Sequence, residues 1–248
     1  MTVRTLVVVP AWNEESSIGA VVRDLRTHGF DVLVVDDGST DRTGVMARNE
    51  GALVATLPFN LGVGAALRCG FRYATAAGYD VAVQCDADGQ HPIDHIHELV
   101  ASVSETGIHM VIGSRFANAS SSTMHVSVVR RFAMMILSRS ASRAAGSRIT
   151  DSTSGFRAIK QPLLGELAES ISPYYLGDTY EAIVSAGRAG YAVREVYAPI
   201  TERTHGQSSA NPIKAARLTV KAILSAILHV HPRLAGPNAQ ATSYNHRS

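Results

Sequence analysis

The sequence predicts an α/β fold: a mainly parallel sheet flanked by helices. Three observations predict it. Short β-branched apolar runs recur along the first half, amphipathic stretches of roughly helix length separate them, and the residues directly after each run are polar. The first run, Thr5–Val9, is followed by the helix-like stretch Glu14–Thr27. Val32–Val35 precedes Asp41–Asn49, and Leu53–Thr56 precedes Gly64–Ala77. Val81–Val83 then precedes Ile93–Ser104, and Met110–Ile112 closes the series. Each run is short enough for a strand buried on both faces, and each spacer is long enough for a crossover helix.

Beyond Arg115 the rhythm changes. A Ser-rich loop at Asn118–Thr123 leads into Val126–Ala145, an amphipathic stretch mixing Phe, Met, Ile and Leu with Arg130, Arg131, Arg139 and Arg143. Asp151–Arg157 reads as a polar turn, Tyr180–Ala189 as a helix and Ala192–Val196 as a last strand. The expected organisation is one domain over 1–211, its two halves, 1–115 and 116–211, differing in rhythm. An amphipathic helix at 212–231 and a polar, disordered tail at 232–248 follow.

Composition narrows the function. The 248 residues, 46% hydrophobic, suffice for one substantial core. With 23 basic and 21 acidic residues the global field does not favour nucleic acid as a partner, so any basic function is local. Cys69 and Cys85 lack metal-ligand spacing and read as buried thiols, which fits a reducing cytoplasm. The N-terminus runs straight into a strand-like segment, unlike a signal peptide, and no segment reaches the roughly 18 to 20 continuous apolar residues of a membrane-spanning helix.

In a parallel sheet, ligands bind outside the carboxyl ends of the strands. Asp86-x-Asp88 stands at such an end, where two carboxylates can share a hard divalent cation with phosphate oxygens. The cation would stabilise the charge that grows on a diphosphate leaving group. Taken alone, the pair could also cap the following helix. Asp36 and Asp37 end the second run, where a carboxylate can accept hydrogen bonds from a ribose or a base, and Ser39 or Thr40 is expected to cap the next helix. A dinucleotide-binding dehydrogenase is the obvious competitor, but its glycine fingerprint belongs after the first strand, where this chain has Pro10-Ala-Trp-Asn-Glu14. Gly62–Leu67 reads instead as a tight strand-to-helix turn.

Taken in order, Pro10–Glu15, Asp36–Asp41, Asn60–Gly64, Asp86–Pro92, Gly113–Arg115, Asp151–Arg157, Arg203 and Gly206–Ser209 resemble glycosyltransferase family 2. These are inverting enzymes of the GT-A fold, a Rossmann-like nucleotide-diphospho-sugar transferase architecture. The likeness is greatest to the dolichyl- and polyprenyl-phosphate sugar synthases. The resemblance implies a metal-dependent hexosyltransferase using Mg2+ or Mn2+. It implies that Pro10, Asn13, Glu14, Asp36, Asp37, Asn60, Gly64, Asp86 and Ala87 line the nucleotide-sugar pocket, with Arg203 and Ser208 in a mobile loop near the diphosphate. Asp86, Asp88 and Gln90 would hold the metal. Asp88, Arg115, Arg130, Arg131 and Asp151 would serve catalysis, with Arg115 and one of Arg130 or Arg131 gripping an acceptor phosphate bidentately.

The acceptor follows from chemistry. A sugar hydroxyl asks for a carboxylate base, whereas a lipid phosphate is already anionic and asks for cations. The second half offers both, its arginines on one side and Asp151, Asp178 and Glu181 on the other, and leans toward phosphate. Lys214, Arg217 and Lys221 beside Ile213, Val220, Ile223 and Leu224 would let the closing helix lie on an anionic membrane surface, or pack on the core with an exposed basic stripe. Many relatives end in membrane-spanning helices that have no counterpart here, so a lipid acceptor calls for peripheral binding at the cytoplasmic face or a separate membrane partner. The expected partners are therefore a UDP- or GDP-sugar, polyprenyl phosphate and a membrane surface. The alternatives are a hydroxyl acceptor in polysaccharide synthesis and a non-catalytic nucleotide-sugar-binding module.

Overall fold

A computed structural model of the chain describes residues 3–117, 128–170, 178–200 and 234–237. Seven strands form one sheet: β1 (Thr5–Ala11), β2 (Asp31–Asp36), β3 (Leu53–Thr56), β4 (Val81–Gln84), β5 (Met110–Ser114), β6 (Arg157–Lys160) and β7 (Val193–Tyr197). Their order is β3-β2-β1-β4-β6-β5-β7. All pairings are parallel except those of β6, which runs antiparallel between β4 and β5. The parallel sheet and the six expected strands are found, Leu53–Thr56 with the expected bounds and the others extended or shifted by one or two residues.

The helices are α1 (Ile18–Thr27), α2 (Thr43–Asn49), α3 (Val63–Ala76), α4 (Ile96–Ser104), α5 (Val128–Ala145), α6 (Leu163–Ser170) and α7 (Asp178–Arg188). Alternation along the strands divides the core. Val7, Val9, Val32 and Val34 face α1, α2 and α4, while Leu6, Val8, Leu33 and Val35 face α3, α5, α6 and α7. Both faces are therefore covered, which explains why the strands read as unbroken apolar runs. The helix α3 lies so close to β1 that a Cβ at Gly70 would stand 2.3 Å from Val8 Cγ1.

Two elements were not foreseen. The strand β6 begins with a fully buried Arg157 and ends with Lys160, so it lacks an apolar signature. The helix α6 lies just behind it. The helix expected from Glu14 begins at Ile18, because Glu14–Ser17 form a turn in which the Ser17 and Ile18 amides both donate to the Glu14 carbonyl. The amphipathic helix expected over 212–231 lies outside the described residues. Within the stretch expected as a tail, residues 234–237 lie against α6, with the Ala235 amide donating to Glu166 Oε2 at 2.8 Å.

Candidate active site

The carboxyl ends of β1, β2 and β4 lie side by side, and the loops that leave them are laced together. Asn13 adopts a left-handed backbone (φ 54°), which asparagine tolerates well. Its amide donates to Ser39 Oγ at 3.0 Å and its Oδ1 accepts from the Thr40 amide at 2.9 Å. The Glu14 amide donates to Thr43 Oγ1, and the Glu15 amide to Asp41 Oδ2. Burial works against ionisation of Asp41, but hydrogen bonds from the Thr43 hydroxyl and amide and from the Glu15 amide outweigh it and hold the carboxyl below its ordinary value. The expected cap at Ser39 or Thr40 is therefore corrected. Both residues are turned toward Asn13, and Asp41 receives the Thr43 amide at the start of α2.

The two acids at the end of β2, Asp36 within it and Asp37 directly after, are buried and engaged. Asp36 Oδ1 accepts from the Ser39 amide, while Asp37 accepts from the Leu61 and Gly62 amides, one to each oxygen, both at 2.8 Å. Asp37 thus ties the loop before α3 to the end of β2. Asn60 sits exposed in that loop, and Gly64 is buried in the first turn of α3. Pro10 is half-buried at the end of β1, paired in register with Val35.

Asp86 and Asp88 follow β4, the intervening Ala87 side chain is buried, and both acids line one cavity. The Gln90 amide donates to Asp88 Oδ1 at 3.1 Å. The Asp86 amide donates to His91 Nδ1 at 3.0 Å, and this contact puts the proton of the neutral ring on Nε2, 3.5 Å from Asp86 Oδ2. His91 is buried and stacks on Phe156. It orients Asp86, a role that sequence reasoning missed although its place five residues after Asp86 was in view. Burial, then the charges of Asp86 and Asp88, push the neighbouring Cys85 thiol well above its ordinary range. A cavity of about 330 Å³ opens beside these acids, lined also by Ser16, Ser17 and Asp24.

Among the described residues no cluster of three acidic, His or Cys side chains forms a closed metal site. The donor set of Asp86 and Asp88, two hard carboxylates with Asp86 partly exposed, still suits Mg2+ or Mn2+ in the open form that leaves positions for phosphate and water.

The loop 151–156 joins this acidic turn to a basic one. At its near end a Cβ on Gly155 would lie 3.2 Å from both Asp86 oxygens, so only a glycine passes without pressing on that carboxylate. In its middle Ser154 Oγ donates to the Gly113 carbonyl at 2.6 Å. At its far end the buried Asp151 lies 3.7 Å from Arg115 Nη2, directly after β5. Asp151 is fixed by its own amide, which donates to Glu195 Oε1 at 2.8 Å, and by Thr153, which donates to Asp151 Oδ1. Below the loop, Arg157 Nε donates to Gln84 Oε1 at 2.9 Å across the β4–β6 pair. Gln84, Arg157 and Glu195 are further residues that the sequence did not single out, since each acquires its role from a partner distant in the chain.

Arg130 and Arg131 belong to α5, but their side chains lie outside the described residues, as do Arg203 and Ser208 and the side chain of Asp178. Glu181 is half-buried on α7. No helix among the described residues is long and apolar enough to cross a membrane.

Known proteins resemble this chain. The profile of Glycosyl transferase family 2 matches residues 6–167. The chain is 33% identical over 224 residues to the polyprenol monophosphomannose synthase of Mycolicibacterium smegmatis, covering 84% of this chain and 81% of that one. It is 30% identical over 207 residues to the UDP-N-acetylglucosamine–dolichyl-phosphate N-acetylglucosaminyltransferase of Methanococcus voltae, covering 76% and 82%. Among solved structures, glucosyl-3-phosphoglycerate synthase from Mycobacterium tuberculosis, in complex with Mn2+, UDP and phosphoglyceric acid, superposes with a TM-score of 0.65. At 20% identity, with 91% of this chain and 77% of that one covered, this likeness establishes the GT-A fold. With its family profile spanning the acidic turn, the Arg115 turn and the loop between them, the chain belongs to glycosyl transferase family 2.

Proposed function

We propose that the chain transfers a sugar from a UDP- or GDP-sugar to polyprenyl phosphate, with inversion at the anomeric carbon, as a peripheral protein at the cytoplasmic face of a membrane. The observation that carries this reading is the division of charge along one rim. Asp86 and Asp88 stand at the end of β4, Arg115 stands at the end of β5, and a single loop touches both. Two lipid-phosphate sugar transferases among the relatives support the acceptor.

Asp86 and Asp88, with Gln90 beside them, would hold the cation, and Asn13, Glu14 and Asp36 would border the nucleotide with Pro10 and Asn60. Bound there, Mg2+ or Mn2+ supplies Lewis-acid neutralisation of the departing diphosphate. Arg115, joined by Arg130 or Arg131, would grip the acceptor phosphate. A phosphate oxygen forms the new bond to the anomeric carbon as the bond to the nucleoside diphosphate breaks, its electron pair leaving with the diphosphate. The attacking oxygen carries no proton, so no general base is required. The placement of Asp151 fits this scheme: its carboxylate is buried beside Arg115, where it orients the guanidinium, rather than open to a hydroxyl. Arg203 and Ser208 are assigned to the diphosphate by resemblance alone, and a separate membrane protein is a further candidate partner.

The test is transfer of labelled sugar from a panel of UDP- and GDP-sugars to polyprenyl phosphate with Mn2+. A lipid product labile to mild acid is expected, and Asp88→Ala should lower its formation by about 100-fold or more while the variant still folds, melting lower only by the few degrees that the lost Gln90 amide bond accounts for. Full metal-stimulated turnover in Asp88→Ala, or label passing only to a hydroxyl acceptor, would overturn the proposal.

A further inference from the structure

A second basic feature lies outside the site just described. Arg139 and Arg143 are four residues apart on α5 and so share one face of the helix, and Arg148 reaches toward them from the turn that follows. All three side chains are exposed and line one groove of about 580 Å³, whose wall is completed by Ile149 and Thr150. None of the three forms an ion pair with a carboxylate among the described residues.

The other polar groups of the groove are already engaged. Ser138 Oγ donates to the Thr150 carbonyl at 2.8 Å, and Ser142 Oγ donates to the Ile149 carbonyl while accepting from the Ile149 amide. The Thr150 amide and hydroxyl both donate to Glu195 at 2.9 Å, so that carboxylate is engaged by the turn. These bonds brace a rigid wall and leave the guanidinia as the groups that can bind. Three like charges on one wall repel one another until an anion stands between them. At one end of the groove Met135 is 40% exposed, giving an apolar surface next to the cations.

We propose that this groove is an anion site for a phosphate ester, separate from the Asp86–Arg115 rim and independent of the assignment of the acceptor. Forked guanidinium donors match phosphate oxygens, and the groove falls within the roughly 300–1,000 Å³ usual for small-ligand pockets. The phosphate can be that of an anionic lipid headgroup, whose chain the Met135 surface would accept, or of a soluble phosphate compound.

The test uses the full chain in a phosphate-free buffer. One arm measures co-sedimentation with vesicles of phosphatidylcholine alone or mixed with phosphatidylglycerol; the other titrates inorganic phosphate and follows the melting temperature. For a lipid headgroup, the chain sediments with the anionic vesicles only, and Arg139→Gln/Arg143→Gln lowers the partition coefficient by about 25-fold, at roughly fivefold per arginine near a charged surface. For a soluble phosphate, inorganic phosphate raises the melting temperature of the wild type but not of the double variant, and vesicles do not sediment the chain. Arg148→Gln, which leaves the helix untouched, should give a loss in the same arm. Mn2+-dependent UDP binding, which uses the other rim, reports that each variant is folded. Binding to both probes that is unchanged by these substitutions, or no binding to either by the wild type, would overturn the site.

Discussion

Asp37 offers the sharpest test of how the rim beyond β1 and β2 is built. Its two oxygens each receive one amide of the loop before α3, from Leu61 and from Gly62, and its side chain is almost fully buried. Asp37→Asn preserves the shape but replaces one acceptor oxygen by an NH2 group, which then faces an N–H donor. A hydrogen bond to a charged acceptor contributes about 1.5–3 kcal/mol, and the lower half of that range applies because the loop amides are only partly buried. For a chain of this size each kcal/mol moves the melting temperature by about 2–4 °C, so Asp37→Asn should melt about 3–8 °C lower without any ligand present. Circular dichroism melts supply the measurement, and hydrogen exchange at Leu61 and Gly62 should quicken in parallel. UDP affinity should fall as well, because the loop loses its anchor. A variant that melts within about 1 °C of the wild type and loses only UDP binding would refute the reasoning, since it would make Asp37 a ligand contact and not a tie within the protein.

Further expectations follow from the same geometry. Arg115→Lys keeps the charge but not the fork, so the KM for the acceptor should rise by about tenfold while the affinity for UDP and Mn2+ stays constant; steady-state kinetics against both substrates would show it. Gly70→Ala places a methyl 2.3 Å from Val8 Cγ1, and the resulting overpacking should cost about 1–3 kcal/mol in urea unfolding. His28 donates from Nδ1 to the Asp24 carbonyl and from Nε2 to the Asp94 carboxylate, and first the Asp24 backbone contact, then Asp94, raise its pKa above the ordinary 6.5. With the folded value raised, its stabilising contribution is complete below 6.5 and fades as pH climbs through the folded value. NMR titration of the ring should locate that value above 6.5 and find it lower in Asp94→Asn.

The parallel half of the fold was legible because strands covered on both faces are apolar at every position, as Val7–Val9 and Val32–Val35 are. The acidic turn was legible because its two carboxylates lie close in sequence. What lay hidden depended on partners far along the chain. Arg157 opens a strand in the middle of the sheet, where a charged residue is tolerated because Gln84 receives its Nε, and nothing local to Arg157 announces that partner. Glu195 looks like a surface acid until the fold carries it to the Thr150 and Asp151 amides. Asp151 has the composition of a catalytic base, but burial beside Arg115 gives it different surroundings. The capping residue of α2 was misplaced for a related reason: Ser39 and Thr40 have the right chemistry, yet Asn13 competes for them from the neighbouring strand end.

The antiparallel course of β6 has an architectural consequence. Since β5 and β6 are hydrogen-bonded neighbours of opposite direction, the chain leaves the rim after Ser114 and comes back to that same rim at Phe156, where the Gly113 amide meets the Phe156 carbonyl at 2.8 Å. Everything between is topologically a hairpin connection grown to the size of a module. Such an excursion can be exchanged for another without rethreading the sheet, so Gly113 and Phe156 are the joints at which a chimera would be made.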